Sequence, residues 1–141
     1  MRVLAIDYGA RRIGLALSDP TGTLATPLRT LTYRLGKRPP LREVERIARE
    51  AGVERLVVGL PLDLAGEETD LCATVREIGE TLSGRLAVPV DYQDERMTSV
   101  RAESIVRGSG RRKSERERKD LVDAAAAALI LQLWLDRRRT S

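Results

Sequence analysis

The sequence contains no histidine, no phenylalanine and a single cysteine, Cys72, and aromatic residues make up only 3% of its 141 positions. Without histidine there can be no Ser-His-Asp triad, no imidazole general base and no Cys₂His₂ zinc site. One cysteine excludes an intrachain disulfide and a multi-cysteine metal cluster. If the protein is a hydrolase, its carboxylates must carry the chemistry, together with the oxygen-preferring metal ions that carboxylates bind.

The length of 141 residues predicts a single domain spanning residues 1–141. Apolar residues make up 42% and charged residues 33%, a balance typical of globular proteins. No apolar run reaches the roughly 18 residues of a transmembrane candidate. Asp7 interrupts the first apolar run too early for a signal-peptide core. These observations predict a cytoplasmic protein that does not associate with membranes.

Positive charge is concentrated near the C-terminus. Residues 107–141 hold ten basic and five acidic residues, which leaves 15 basic against 16 acidic residues in the rest of the chain. Such an asymmetry is typical of proteins that bind a polyanion, most often nucleic acid. A solvated charged tail explains the same composition, so both interpretations stay open at this point.

The hydrophobic pattern predicts an α/β fold. Continuous apolar runs and turn residues predict strands at residues 3–6, 13–17, 24–31, 56–60 and 86–91. Apolar residues at helical spacing predict helices after Pro40, at residues 69–83 and 98–106, and from Asp120 onward. We therefore expect a mixed five-stranded sheet, with a three-strand antiparallel meander and two parallel strands, flanked by helices. The alanine run at residues 124–128 should let the last helix approach the sheet closely.

Acidic residues interrupt three of these apolar patterns. Asp7 closes the first strand, Asp94 and Glu95 follow the fifth, and Asp123 lies near the start of the last helix. Since side chains alternate along a strand, only one of Asp94 and Glu95 can point at a given site. The acids are either separate caps and structural residues or one cluster that binds metal ions. A cluster of this kind suits phosphodiester hydrolysis, where two Mg²⁺ or Mn²⁺ ions about 3.5–4 Å apart can act together.

Four segments carry a family resemblance, and they occur in order along nearly the whole chain. They are DYGARRIG from Asp7, VVGLP from Val57, DERMTS from Asp94 and VDAAA from Val122. In combination they resemble the YqgF/RuvX family, which has an RNase H-like fold. The resemblance implies a metal-dependent nuclease that matures the 5′ end of pre-16S rRNA, in a family named earlier as a Holliday junction resolvase. It places the catalytic and metal-binding acids at Asp7, Glu95 and Asp123, and so selects Glu95 over Asp94.

Basic residues near these acids are the candidate nucleic-acid contacts. Arg11 and Arg12 lie in the first turn, where they could hold a phosphate. Residues 108–119 contain no apolar side chain, and Arg111, Arg112 and Lys113 are expected to contact phosphate most strongly there. Glu115 and Glu117 could neutralise the remaining basic residues at helical spacing.

Several alternatives stay open at the level of the sequence. One is a junction resolvase acting on branched DNA, which would favour a two-fold homodimer. Another is a nucleic-acid-binding module without catalysis. A third is a relative of the actin-like ATPases, whose first phosphate motif resembles the spacing from Asp7 to Gly14, although those proteins need two such domains.

Overall fold

The N-terminal part of the chain folds as an antiparallel meander. The computed structural model describes residues 1–96, 98–108 and 114–140. In it β1 (Val3–Tyr8) pairs with β2 (Arg12–Ser18), which pairs with β3 (Ala25–Thr32). Strand β3 lies at the edge of the sheet, where Pro27 costs little because an edge strand needs only half of its backbone hydrogen bonds. The meander and its proline-containing edge strand are as predicted.

Two parallel strands extend the sheet on the other side of β1. Strand β4 (Arg55–Leu60) pairs with β1, and β5 (Val90–Asp94) pairs with β4, which gives the order β3-β2-β1-β4-β5. Helix α1 (Leu41–Ala51) precedes β4, and α2 (Asp70–Leu86) connects β4 to β5. This confirms the expected mixed sheet. It also brings the carboxyl ends of β1, β4 and β5 together at one end of the sheet.

Each face of the sheet is covered by different helices. Leu4 and Ile6 point into a core shared with α1 and α2, whereas Val3 and Ala5 point toward the C-terminal helix, α4 (Glu115–Thr140). Asp7 follows Val3 and Ala5 in this alternation, so its side chain faces α4. Helix α3 (Thr98–Arg107) packs against α4.

The predicted position of the fifth strand is wrong by several residues. Helix α2 continues to Leu86, where Ala87 ends it in the left-handed conformation with φ 55°, and β5 begins only at Val90. Leu86 packs against the α1/α2 core as the last member of the helix's apolar stripe. A short apolar run such as residues 86–88 suits a helix end and a strand equally well, so its sequence alone could not decide.

Helix α4 begins earlier than the apolar pattern indicates. Its first residue is Glu115, and the Ser114 hydroxyl accepts a hydrogen bond from the Glu117 N–H at 3.1 Å, as an N-cap does. Asp123 therefore lies more than two turns into the helix and not one. No described helix, α4 included, is both long and apolar enough to cross a membrane.

Candidate active site

The three acids singled out in the sequence line one pocket of about 350 Å³. Asp7 comes from β1, Glu95 from the residue after β5, and Asp123 from α4. Pro61 and Leu62, which follow β4, form part of the wall, and two basic residues, Arg12 at the start of β2 and Arg96 after β5, also line the pocket. The pocket thus lies at the carboxyl ends of three parallel strands, on the face covered by α4.

The side chains of Asp7 and Glu95 lie side by side and are hydrogen-bonded to each other. Burial raises the pKa of the Asp7 carboxyl well above its usual value, and its hydrogen bond to Glu95 and the nearby charges of Glu95 and Asp123 raise that pKa further. Burial also raises the pKa of Glu95, while the hydrogen bond from Asp7 works against this rise. Two carboxyl groups in contact cannot both be ionised cheaply, so the pair retains a proton more readily than isolated acids do.

Asp123 is balanced by an arginine. Arg12 donates from Nε to Oδ2 of Asp123 at 2.6 Å, and both side chains are partly exposed. Burial raises the pKa of Asp123, whereas the hydrogen bond and charge of Arg12 lower it. Arg12 therefore joins β2 to α4 and places a fixed positive charge at the mouth of the acidic pocket.

Two glycines make room for these acids. A Cβ at Gly14 would overlap the carbonyl oxygen of Asp123, so the backbone of α4 rests directly on β2 at this point. A Cβ at Gly59 would lie 2.6 Å from Oε2 of Glu95 and 2.7 Å from Cδ1 of Ile130. The contact at Gly14 is with backbone and cannot be relieved by a side-chain movement, whereas at Gly59 the side chains of Glu95 and Ile130 would have to move. Both glycines therefore shape the pocket.

The choice between Asp94 and Glu95 follows from strand geometry. Asp94 turns away from Asp7 and forms an ion pair with Arg96 at 2.7 Å, which lowers the pKa of Asp94. Glu95 points into the pocket, and its carbonyl oxygen accepts a hydrogen bond from the buried hydroxyl of Thr98 at 2.7 Å. Thr98 thereby fixes the turn that carries Glu95.

The donor set suits an oxygen-preferring cation, although the acids are not arranged around a single point. Within residues 1–96, 98–108 and 114–140, no three acidic, histidine or cysteine side chains are grouped closely enough to hold one metal ion as they stand. The reason is visible in their partners, since Asp7 and Glu95 bond each other while Asp123 bonds Arg12. Clustered carboxyl groups with raised pKa values are electrostatically suited to a divalent cation, which would remove their mutual repulsion.

The structure shows where some of the predicted basic residues lie. Arg12 lines the acidic pocket, and it also borders a neighbouring pocket of about 490 Å³ together with the exposed Arg11. Arg116 and Lys119 of α4 line that second pocket too. Lys119 pairs with Glu115 at 3.1 Å, the neutralisation expected at helical spacing. Arg111, Arg112 and Lys113 lie outside the described residues.

Sequence reasoning missed the role of Gly59 and the surroundings of Trp134. Gly59 interrupts the apolar run of β4, a pattern that signals close approach by another group. Trp134 is half-buried at the core's margin, with the guanidinium carbons of Arg55 and Arg138 at 5.7 and 5.1 Å from its ring centroid. No local sequence signal indicates that two arginines lie over the Trp134 ring.

The sheet order and the helix placement define an α/β protein with the RNase H-like fold. The structure of Thermus thermophilus RuvC superposes with a TM-score of 0.56 at 18% identity, covering 99% of this chain and 97% of that one. A T. thermophilus RuvC structure in complex with a Holliday junction substrate gives the same TM-score at 20% identity, covering 99% of this chain and 96% of that one. Residues 1–137 match the model of the RuvX family, described as a Holliday junction resolvase. The chain belongs to the RuvX family, which confirms the resemblance seen in the sequence.

Curated relatives match over nearly their whole length. A protein of Thermosynechococcus vestitus is 46% identical over 136 residues, which cover 96% of this chain and 88% of the relative. One of Anaeromyxobacter dehalogenans is 43% identical over 138 residues, which cover 98% of each chain. Both are named "Putative pre-16S rRNA nuclease".

Proposed function

We propose that this protein is a nuclease that hydrolyses phosphodiester bonds in structured nucleic acid, with the 5′ end of pre-16S rRNA as its substrate. The observation that carries the proposal is the convergence of Asp7, Glu95 and Asp123, from three separate elements, on one pocket that also contains Arg12. The names of the curated relatives support RNA as the substrate. A protein that acts on a ribosomal precursor works in the cytoplasm, and we place it there.

The carboxylates of Asp7, Glu95 and Asp123 would hold Mg²⁺ or Mn²⁺, with two ions as the expected number. Bound ions of this kind would supply electrostatic stabilisation of the reacting phosphate, in addition to the positive charge of Arg12. The three carboxylates supply the negative charge that would bind the ions. The hydrogen bond from Thr98 fixes the backbone of Glu95, and the absence of a side chain at Gly59 leaves room for its carboxylate. No side chain of the pocket needs to act as an imidazole-like base.

Arg12 is placed to bind the substrate. It borders both the acidic pocket and the neighbouring pocket that contains Arg11, Arg116 and Lys119. A guanidinium at this boundary can hold a phosphate next to the reacting one through charge-assisted hydrogen bonds. The nucleic acid would thus enter along this neighbouring pocket, whose lining also includes Glu115 and Asp120, and its scissile bond would reach the three acids of the active site.

The direct test is cleavage of a pre-16S rRNA 5′ segment by the purified protein with Mg²⁺ or Mn²⁺. We expect cleavage that EDTA abolishes and that Asp7→Asn lowers by roughly 10³-fold, as loss of a group that stabilises charge in the transition state does. Glu45→Gln is the matched control, because Glu45 lies on α1, away from the pocket, and pairs with Arg49. Full activity in excess chelator, or wild-type cleavage by Asp7→Asn, would contradict the proposal.

A second candidate function is the resolution of four-way DNA junctions. It is favoured by the family description and by the RuvC fold. Resolution needs two cuts on opposed strands, so this candidate also requires a two-fold homodimer. Side-by-side cleavage of the rRNA segment and of a four-way junction by one preparation decides between the two substrates, and sedimentation of the same preparation tests the dimer.

A further inference from the structure

A row of side chains leads away from the acidic pocket along the open edge of the sheet. On the α4-facing side of β5 the row contains Asp91 and Gln93, and Glu95 continues it into the acidic pocket. The Trp134 indole Nε1 donates to Oδ2 of Asp91 at 3.2 Å, and Nη1 of Arg137 donates to Oε1 of Gln93 at 3.4 Å. The C-terminal half of α4 is therefore fastened to the same edge strand that ends at Glu95.

This row borders a further cavity, of about 520 Å³, which is distinct from the two pockets described above and which we call the tryptophan pocket. Its lining consists of Arg55, Asp91, Tyr92, Gln93, Trp134, Arg137 and Arg138. Three arginines thus face one aspartate, so the lining carries two positive charges in excess.

The arginines are held by the tryptophan ring and by the sheet. The guanidinium groups of Arg55 and Arg138 lie over the Trp134 ring, which orients them through cation–π attraction. Arg55 is 23% exposed and bonds Asp91 at 3.1 Å through Nη1, while its buried Nε has no hydrogen-bond partner among the described residues. The exposed part of this guanidinium, beside two further arginines, is a suitable binding site for an anionic oxygen.

The two pockets are separated by a distance that one nucleic-acid strand can span. Four residues of extended chain from Asp91 to Glu95 cover about 13 Å. Eleven helical residues from Asp123 to Trp134 cover about 16 Å. The tryptophan pocket therefore lies a few nucleotides from the acids along one strand.

We propose that the tryptophan pocket binds the phosphate backbone of the nucleic-acid substrate, a few nucleotides from the bond that is cut. This inference rests on the proposed function, because it describes how the same substrate is held. Arg55, Arg137 and Arg138 would contact phosphate oxygens. Trp134 would orient two of these arginines and would not stack on a base, since arginines already lie over its ring.

Trp134 gives the test a built-in reporter, because it is the only tryptophan in the chain. The full-length Asp7→Asn protein is titrated with an RNA hairpin whose stem is long enough to span both pockets. Tryptophan fluorescence and the anisotropy of a dye on the hairpin are recorded in parallel. We expect a saturable change in Trp134 fluorescence with the same midpoint as the anisotropy, and an increase of that midpoint with salt.

The double variant Arg137→Ala/Arg138→Ala, also in the Asp7→Asn background, tests the contacts themselves. It should lose the fluorescence response to the hairpin, and the slope of log K against log salt should shrink by up to about 0.9 for each lost phosphate contact. Both side chains are exposed, so circular dichroism should match that of the parent, while urea unfolding should show only the small loss expected from the Arg137–Gln93 and Arg138–Trp134 contacts. Arg46→Ala is the control, since Arg46 lies on α1 on the opposite face and pairs with Glu43 and Glu50.

The possible outcomes separate this inference from the proposed function. Hairpin binding with an unchanged Trp134 signal, or with an unchanged salt slope in the double variant, would overturn the inference and leave the nuclease proposal standing. A Trp134 response to a hairpin that the wild-type protein does not cut would support the inference and overturn the nuclease proposal. Absence of any hairpin binding would overturn both.

Discussion

Gly59→Ala should damage catalysis far more than folding. Gly59 belongs to β4, at the centre of the sheet, and its hydrogen occupies the space between the sheet and the Glu95 carboxylate. The added methyl group would lie 2.6 Å from Oε2 of Glu95, whereas ordinary contacts begin at 3.4 Å. The difference between these distances, 0.8 Å, is the amount by which the carboxylate has to move.

That displacement can be converted into a rate. A misplacement of about 1 Å in an active site costs roughly 10²-fold in rate, which corresponds to about 2.7 kcal/mol of transition-state free energy. The same methyl group meets Cδ1 of Ile130, a flexible side-chain end that can yield at a packing cost of about 1–3 kcal/mol. We therefore expect cleavage of the rRNA segment to fall about 100-fold, with a folded protein that unfolds at lower urea concentration.

Gly84→Ala is the matched control for this experiment. Gly84 lies in α2 with no neighbouring atom within 4 Å of an added Cβ, so the substitution should leave the cleavage rate unchanged. It should also stabilise the helix by about 0.5–1 kcal/mol, because alanine is the better helix former. Cleavage kinetics at saturating Mn²⁺ and urea unfolding are measured for both variants. A Gly59→Ala protein that is folded and cleaves at the wild-type rate would refute the assignment of Glu95.

Three further predictions concern the same pocket. Asp7→Asn should raise the free energy of unfolding at neutral pH, because burial and Glu95 raise the pKa of Asp7. In the wild type, above the usual pKa of about 3.9, the folded state therefore binds more protons than the unfolded state, so the free energy of unfolding falls as pH rises. Urea unfolding measured at several pH values should show a shallower fall in the variant. Identical pH profiles for the two proteins would contradict this prediction. Gly14→Ala should cost at least about 1–3 kcal/mol by urea unfolding, since the methyl group meets the α4 backbone at Asp123, and an unchanged stability would exclude that contact. Arg12→Ala should weaken hairpin binding about tenfold or more, because a charge-assisted hydrogen bond contributes about 1.5–3 kcal/mol; unchanged anisotropy titrations would place the phosphate elsewhere.

The strands and most helices could be predicted because the local pattern determines them. Buried strands such as β1 and β4 are continuous apolar runs, and the turns between β1, β2 and β3 contain glycine, proline and aspartate. The exceptions have local causes. Residues 86–88 are apolar in either a helix or a strand, and the start of α4 lies in a segment without apolar side chains. The Ser114-x-x-Glu117 spacing was the available signal for that helix start.

The candidate site was only partly accessible from the sequence. Asp7 and Asp123 were found because each interrupts an apolar pattern, whereas Glu95 was preferred to Asp94 through the family resemblance. The ion pair between Arg12 and Asp123 joins residues 111 positions apart, so it depends on where α4 crosses the sheet. The tryptophan pocket depends on the same crossing, which no local pattern determines.

The small residues on the α4-facing side of the sheet explain how three carboxylates can be held together. Gly14 lets the α4 backbone rest on β2, and the buried Ala126 and Ala127 belong to the same closely packed helix. Close backbone contact at Gly14 fixes the position of Asp123. The missing side chain at Gly59 leaves room for the carboxylate of Glu95. The closely packed backbone holds the acids in place despite their mutual repulsion, and the large apolar core on the opposite face of the sheet stabilises the fold against it. It follows that enlarging a residue on the α4 side should change the cleavage rate, whereas a volume-conserving change in the α1/α2 core should change only the stability.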